Sequence, residues 1–245
     1  AMPWSTTTYG SAAWTFDGTT WTNIGGGYLN NSWGGYNSAK VMSSTNYNGK
    51  MYVGVGNGTN TAYVYEWDGT TARIVGGGAA VNGSWPGWTY ETVDSMIAYK
   101  GNLYVGLGWN GGDGEVWKWN GSTWTKVAGD GLNSSLSGPN AVGAMAVYGG
   151  KLYISSGNSN TSYGQIWQYD ESTWTKIGGN GTNGLANVST YSSMTVFNNQ
   201  LCAGNGLMTN TSQVWCWTGS GNWTKIGGDG VNSSWSTTTA TKLVG

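Results

Sequence analysis

WTKIGGDGVNSSW, residues 223–235, decides how this chain is read, because the phrase is repeated. Residues 124–136 read WTKVAGDGLNSSL, residues 174–186 read WTKIGGNGTNGLA, and residues 21–33 read WTNIGGGYLNNSW. A fifth copy, ARIVGGGAAVNGSW, spans residues 72–85 with one residue inserted. The copies begin at residues 21, 72, 124, 174 and 223, so they lie 51, 52, 50 and 49 residues apart. A period of this length marks a solenoid or a propeller.

Each unit holds four short β-rich runs separated by turn residues, the content of one propeller blade. In the second complete unit the runs are TVDSMIAYKG, NLYVGLG, GEVWKWNG and STWTKVAG. They alternate with period two: Leu103, Val105 and Leu107 share one face of a strand, as do Trp117 and Trp119. The ends of the chain choose between the two architectures. Residues 232–245 match only the first strand of a unit, whereas residues 1–20 match its later strands through Trp14, Phe16 and Asp17. A solenoid ends in polar caps, but a ring can pair its two ends and remove two exposed edges. The expected fold is therefore all-β: a five-bladed β-propeller of four-stranded blades, one domain over 1–245, closed by pairing of the N- and C-terminal strands.

Charged residues make up 9% of the chain, against roughly 25% in average domains. The 17 Trp and 15 Tyr recur at regular intervals, which supplies the apolar surface that disordered chains lack. With a net charge of −1 and ten scattered Lys and Arg, there is no electrostatic footprint for nucleic acid or an anionic membrane. No stretch approaches the roughly 20 apolar residues of a membrane helix, so membrane insertion is not expected either. A signal peptide, had one existed, is read as already removed, and Ala1-Met2 as an expression scar.

The stretches AVYGGKLYISSG (146–157) and IWQYDESTWTKIGG (166–179) give each blade the look of a kelch-type repeat, without its usual double glycine. Five units with KIGG running toward a tryptophan, followed by a GKLY strand, resemble the tachylectin-type five-bladed lectins. That resemblance implies a propeller and binding of N-acetylated amino sugars.

Tight turns join the first strand to the second and the third to the fourth, while longer loops lie on the other side beside the repeated phrase. That other side is the expected binding face. The asparagine of the phrase never changes: Asn30, Asn82, Asn133, Asn183 and Asn232. Trp33, Trp85 and Trp235 follow three residues later, where the other two copies carry Leu136 and Ala186. Two readings stand together. Asn closes a turn and Trp seals the contact between blades; or amides and backbone groups bind sugar hydroxyls while an indole face packs on the pyranose. With Trp109 from a long loop, these residues form the candidate carbohydrate site. The expected protein is a secreted multivalent lectin, monomeric or weakly oligomeric, for polyvalent glycans. The alternative is a kelch-like interaction module whose specificity lies where the repeats differ, at Trp88, Tyr90, Glu91, Trp109 and Asp113.

Catalysis finds little support. The chain has no His, and a glycosidase needs a facing pair of carboxylates. The inner strands carry only Glu91 and Asp94, three apart and so on opposite faces. Asp17, Asp68, Asp130, Asp170 and Asp229 read as turn residues, and no metal or other cofactor is expected. Cys202 and Cys216 replace both members of a cross-strand pair that is Tyr52/Glu66, Tyr104/Lys118 or Tyr153/Gln168 elsewhere. A disulfide and an oxidising compartment fit this placement, with a reduced buried pair as the other reading.

Overall fold

Alternating apolar residues and tight turns produce strands throughout the chain. The structure, a computed structural model, describes residues 11–33, 40–56, 61–86, 90, 92–108, 114–136, 141–158, 161–186, 188–205 and 212–236. Trp88, Glu91, Trp109, Asp113 and the proposed C-terminal strand beyond 236 lie outside the described residues. Among those described, every regular element is a strand or a short 3-10 turn.

By internal contacts the chain forms two compact units, residues 1–109 with 117–125, and residues 110–116 with 126–245. In the first, β1 (Ala13–Phe16) pairs antiparallel with β2 (Trp21–Gly25). A four-stranded sheet follows in the order β3 (Lys40–Tyr47), β4 (Lys50–Gly56), β5 (Tyr63–Trp67), β6 (Ala72–Gly77). Next come β7 (Thr92–Tyr99), paired with β8 (Asn102–Gly108), then β9 (Val116–Trp119) and β10 (Trp124–Ala128), along which the boundary between the units runs. The second unit holds β11 (Ala141–Tyr148), β12 (Lys151–Asn158), β13 (Thr161–Tyr169) and β14 (Trp174–Gly178). It ends with the four-stranded sheet β15 (Ser193–Phe197), β16 (Gln200–Asn205), β17 (Gln213–Trp217), β18 (Thr224–Gly227). Phe16 faces Trp21 as Trp67 faces Ala72 and Tyr169 faces Trp174, so β1 and β2 correspond to the outer two strands of a full sheet.

Turn chemistry fixes these registers. The β3–β4 hairpin turns on Asn48 and Gly49, both with positive φ (48° and 74°), and the β15–β16 hairpin turns on Asn198 and Asn199 (46° and 55°). Two left-handed residues match the twist of the flanking strands, and Asn and Gly tolerate that conformation best. At the outer hairpins an acid or amide closes the turn: Asp68 Oδ1 accepts the backbone N–H groups of Thr70 and Thr71, each at 2.8 Å, and Asp17, Asn120 and Asp170 do the same for their own turns. These aspartates and Asn120 hold backbone.

The cores are aliphatic and aromatic. In the first unit Val64, Val75, Trp85, Val93, Leu103, Val105, Leu107, Trp119 and Trp124 form one buried cluster. In the second unit Ile166, Ile177, Leu185, Tyr191, Leu201, Ala203, Trp217 and Trp223 form another. Cys202 and Cys216 face each other in the β16–β17 register and form a disulfide with Cα atoms 4.1 Å apart. The same pairing brings Tyr52 opposite Glu66 and Tyr153 opposite Gln168.

Candidate functional site

The repeated phrase is built around a β-bulge. In four copies the ladder slips by one residue at Ile24, Val75, Ile177 or Ile226, leaving that residue's carbonyl out of the strand pairing. A buried carbonyl without a donor is costly, and the invariant asparagine supplies one. Asn30, Asn82, Asn133, Asn183 and Asn232 donate through Nδ2 to the carbonyls of Ile24, Val75, Val127, Ile177 and Ile226 at 3.0–3.3 Å. All five have φ between 51° and 56°, the left-handed conformation that Asn adopts at least cost after Gly. The first Trp of the next phrase adds a second donor: Trp124 Nε1 to Val75, Trp174 Nε1 to Val127 and Trp223 Nε1 to Ile177. The invariance of Asn thus has a structural cause. Because Nδ2 is turned inward, the atom left to face a ligand is Oδ1, and Asn82, Asn133, Asn183 and Asn232 are exposed.

The tryptophans that close the phrase are placed as plugs. Trp33 is 4% exposed and Trp85 is fully buried, and their indole N–H groups donate to the carbonyls of Ser11 and Ala62. Trp33 meets Tyr65 edge-on at 5.6 Å and Trp85 meets Trp117 at 5.8 Å. Neither ring offers a face to solvent. Trp235 makes the same bond, to the Ser212 carbonyl, and is 36% exposed. Leu136 is buried at the equivalent place. Alignment sets Ala186 opposite Trp235, but the fourth copy uses Leu185: a Cβ built at Gly178 would lie 2.5 Å from Leu185 Cδ2, as one at Gly25 would lie 2.9 Å from the Trp33 ring. The reason is visible beside it. The other copies have a serine there, Ser32, Ser84, Ser135 or Ser234, whose Oγ accepts from a glycine N–H, and Leu185 has no such oxygen, so its turn closes by a Gly179–Thr182 bridge instead.

A second constellation, absent from the sequence-derived site, recurs on the strands of the second unit. On β17 and β18, Trp215 Nε1 donates to Gln213 Oε1 at 2.9 Å, and Gln213 Nε2 donates to Asp229 Oδ2 at 2.7 Å. Lys225 Nζ lies 2.8 Å from the same carboxylate oxygen and 5.9 Å from the centre of the Trp215 ring. The Lys225 ammonium and the Gln213 amide hold Asp229 below the usual carboxylate range. On β13 and β14, Trp167 Nε1 donates to Gln165 Oε1 at 3.0 Å, and Lys176 stands directly opposite Trp167. Near β10, Lys126 bonds both Glu115 and Asp130. Burial pulls the Lys126 ammonium down, but its bonds to Asp130 and Glu115 outweigh that and raise it. Trp167 and Trp215 are half-buried, so part of each ring is open to solvent. The signal in the sequence was the Gln/Glu-x-Trp spacing of the third strand with Trp-Thr-Lys on the fourth.

The second strand separates the two units further. Its equivalent positions carry buried Val55 and Leu107 in the first unit, but Ser156 and Asn205 in the second. Ser156 pairs with Gln165 and Asn205 with Gln213, so both sit beside the polar constellations. Asn205 Oδ1 accepts the Gln213 N–H at 2.7 Å, while Ser156 Oγ and Asn205 Nδ2 are buried with no protein partner among the described residues.

No family model and no curated protein matches this chain. Solved structures do, and they are β-propeller-like proteins. The extracellular domain of the one-component system BT4673 from B. thetaiotaomicron superposes with a TM-score of 0.51 at 16% identity, covering 78% of this chain and 22% of that one. YCF48 bound to D1 peptide gives 0.48 at 11% identity, over 84% and 58%. A GH43_1 enzyme from Xanthomonas citri complexed with xylose gives 0.44 at 8% identity, over 76% and 72%. The chain therefore spans about a fifth of the first of these proteins, and at such identities the likeness concerns fold alone.

Proposed function

We propose that the chain is a secreted, multivalent carbohydrate-binding propeller. Its five units would form one ring closed by the terminal strands, and N-acetylated amino sugars are the ligand class that its repeats suggest. The observation that carries the reading is the Gln–Trp–Lys constellation on the last two sheets. There a half-exposed indole, an amide, an ammonium and, at Asp229, a carboxylate converge within one strand pair.

This set suits a sugar. The indole packs on the apolar face of a pyranose, and the polar groups exchange hydrogen bonds with hydroxyl or acetamido groups. Asn133, Asn183 and Asn232 would present Oδ1 at the rim. Trp33 and Trp85 act as packing within the first unit. The sites of the fourth and fifth sheets are the working ones, because there half-buried Trp167 and Trp215 stand beside Gln165 and Gln213, over second-strand residues Ser156 and Asn205 that are polar where Val55 and Leu107 are apolar. Weak sites repeated on a rigid body can gain roughly 10²–10⁴ in avidity against a polyvalent surface. The Cys202–Cys216 disulfide supports an oxidising, extracellular setting.

A glycan array probed with the labelled protein and with Trp215→Ala tests the reading. Binding to amino-sugar glycans that weakens in the variant supports it, and silence across the array favours a kelch-like interaction module instead.

A further inference from the structure

The constellations of the last two sheets share a frame but differ in charge. On β17 and β18 two donors meet on one oxygen: Gln213 Nε2 lies 2.7 Å and Lys225 Nζ 2.8 Å from Asp229 Oδ2. On β13 and β14 both donors recur in the same register. Lys176 stands opposite Trp167 as Lys225 stands opposite Trp215, and Gln165 accepts from Trp167 Nε1 as Gln213 accepts from Trp215 Nε1. The acceptor does not recur. Asn180 replaces Asp229, on a backbone of nearly the same left-handed φ, 52° against 54°. Among the described residues Lys176 has no ion pair, and neither Gln165 Nε2 nor the Asn180 side chain has a hydrogen bond. Asp170, in the outer turn of this hairpin, is committed to the N–H groups of Ser172 and Thr173. The third copy lies at the other extreme, with Lys126 bonded to both Glu115 and Asp130.

We infer that the Trp167 site selects an anionic sugar: an N-acetylated pyranose whose carboxylate or sulfate oxygen takes the place that Asp229 Oδ2 fills beside Trp215. The inference rests on the carbohydrate reading of the two sites and adds the charge of the ligand to it. The chain itself shows what suits these donors, because the sister site holds an acid oxygen between the same amide and ammonium. Hydrogen bonds to an ionised group are roughly twice as strong as neutral ones, so a charged ligand gains from both donors. The half-buried Trp167 ring keeps its role as the apolar platform. At Trp215 an incoming acid meets the Asp229 carboxylate and is repelled. Neutral amino sugars use both sites, and charge separates them.

The test is indole N–H NMR on the full chain, with the Trp167 and Trp215 signals assigned through Trp167→Phe and Trp215→Phe. Two matched pairs are titrated: the methyl glycoside of N-acetylneuraminic acid against its methyl ester, and N-acetylglucosamine against its sulfate ester. They separate a carboxylate from a sulfate as the preferred group. At low salt the charged member of at least one pair should bind at Trp167 about 5- to 10-fold more tightly than its neutral partner, with the preference shrinking as salt is added. Asn180→Asp should abolish that preference, and Asp229→Asn should create it at Trp215. Both exchanges suit the left-handed backbone, since Asp130 and Asp229 already adopt it. Equal binding within both pairs at Trp167, or a preference that survives Asn180→Asp, would overturn the inference and leave the carbohydrate reading standing. No response of either indole to any of the four sugars would overturn both.

Discussion

Asn183 Nδ2 and Trp223 Nε1 donate to one oxygen, the carbonyl of Ile177, each at 3.0 Å. The residues belong to successive copies of the phrase, so the bulge carbonyl ties one repeat to the next. Asn183→Ala should destabilise the protein by roughly 1–3 kcal/mol, through a lost hydrogen bond and a left-handed alanine. Asn183→Gly keeps the backbone at ease and should cost less. Urea denaturation of both variants checks this; equal midpoints for alanine and glycine would remove the backbone part of the account.

Glu66 is buried, with Lys50 Nζ at 2.7 Å, Arg73 Nε at 2.8 Å and the Tyr52 hydroxyl donating at 2.6 Å. Burial raises its carboxyl, but the bonds from Arg73, Lys50 and Tyr52 outweigh that and bring it from 4.5 to about 2. A depressed folded pKa contributes stability that is present above 4.5 and is lost as pH falls toward 2. Because Arg73 is largely and Lys50 partly exposed, the contribution is discounted to roughly 1–2 kcal/mol. Glu66→Gln should flatten the stability curve across that window, read from urea midpoints at successive pH values.

Asp94 has the opposite sign. Burial pushes it up from 3.8 to about 6, against a weaker lowering by the Thr92 side chain. An acid with a raised folded pKa costs stability as pH rises from 3.8 through 6. Asp94→Asn should therefore raise the melting temperature at pH 8 and change little at pH 3, with a gain of roughly 1–2 kcal/mol at the higher pH. A variant equally stabilised at both values would point to packing instead of charge.

Cys202→Ala with Cys216→Ala should cost about 2–4 kcal/mol, the usual effect of opening a loop of this size. Both cysteines are buried in β16 and β17, so glycan binding by the refolded variant should be unchanged. Loss of binding with the fold intact would tie the disulfide to the site.

The strands, their hairpins and the Cys202–Cys216 pairing were legible in the sequence because each follows from a local rule of period, turn residue or register. The use of the aromatics was not. Trp85 and Trp215 both recur at fixed places, and an indole reads the same whether it seals a core or stacks on a ligand. What separates them lies elsewhere in the chain: second-strand Leu107 against Asn205, apolar beside one and polar beside the other. The displacement of the plug from Ala186 to Leu185 was equally hidden, since it depends on a missing serine hydroxyl and a changed turn. The role of Asn was ambiguous until its Nδ2 was seen on the bulge carbonyl.

Isothermal titration of the chain with an amino-sugar ligand chosen from the array tests the central claim most directly. The account predicts two strong sites per chain, falling to one in Trp215→Ala and in Lys225→Ala, with the remaining site unchanged and with Trp85→Phe leaving the count at two. Binding that survives in both Trp215→Ala and Lys225→Ala at the original stoichiometry would contradict it.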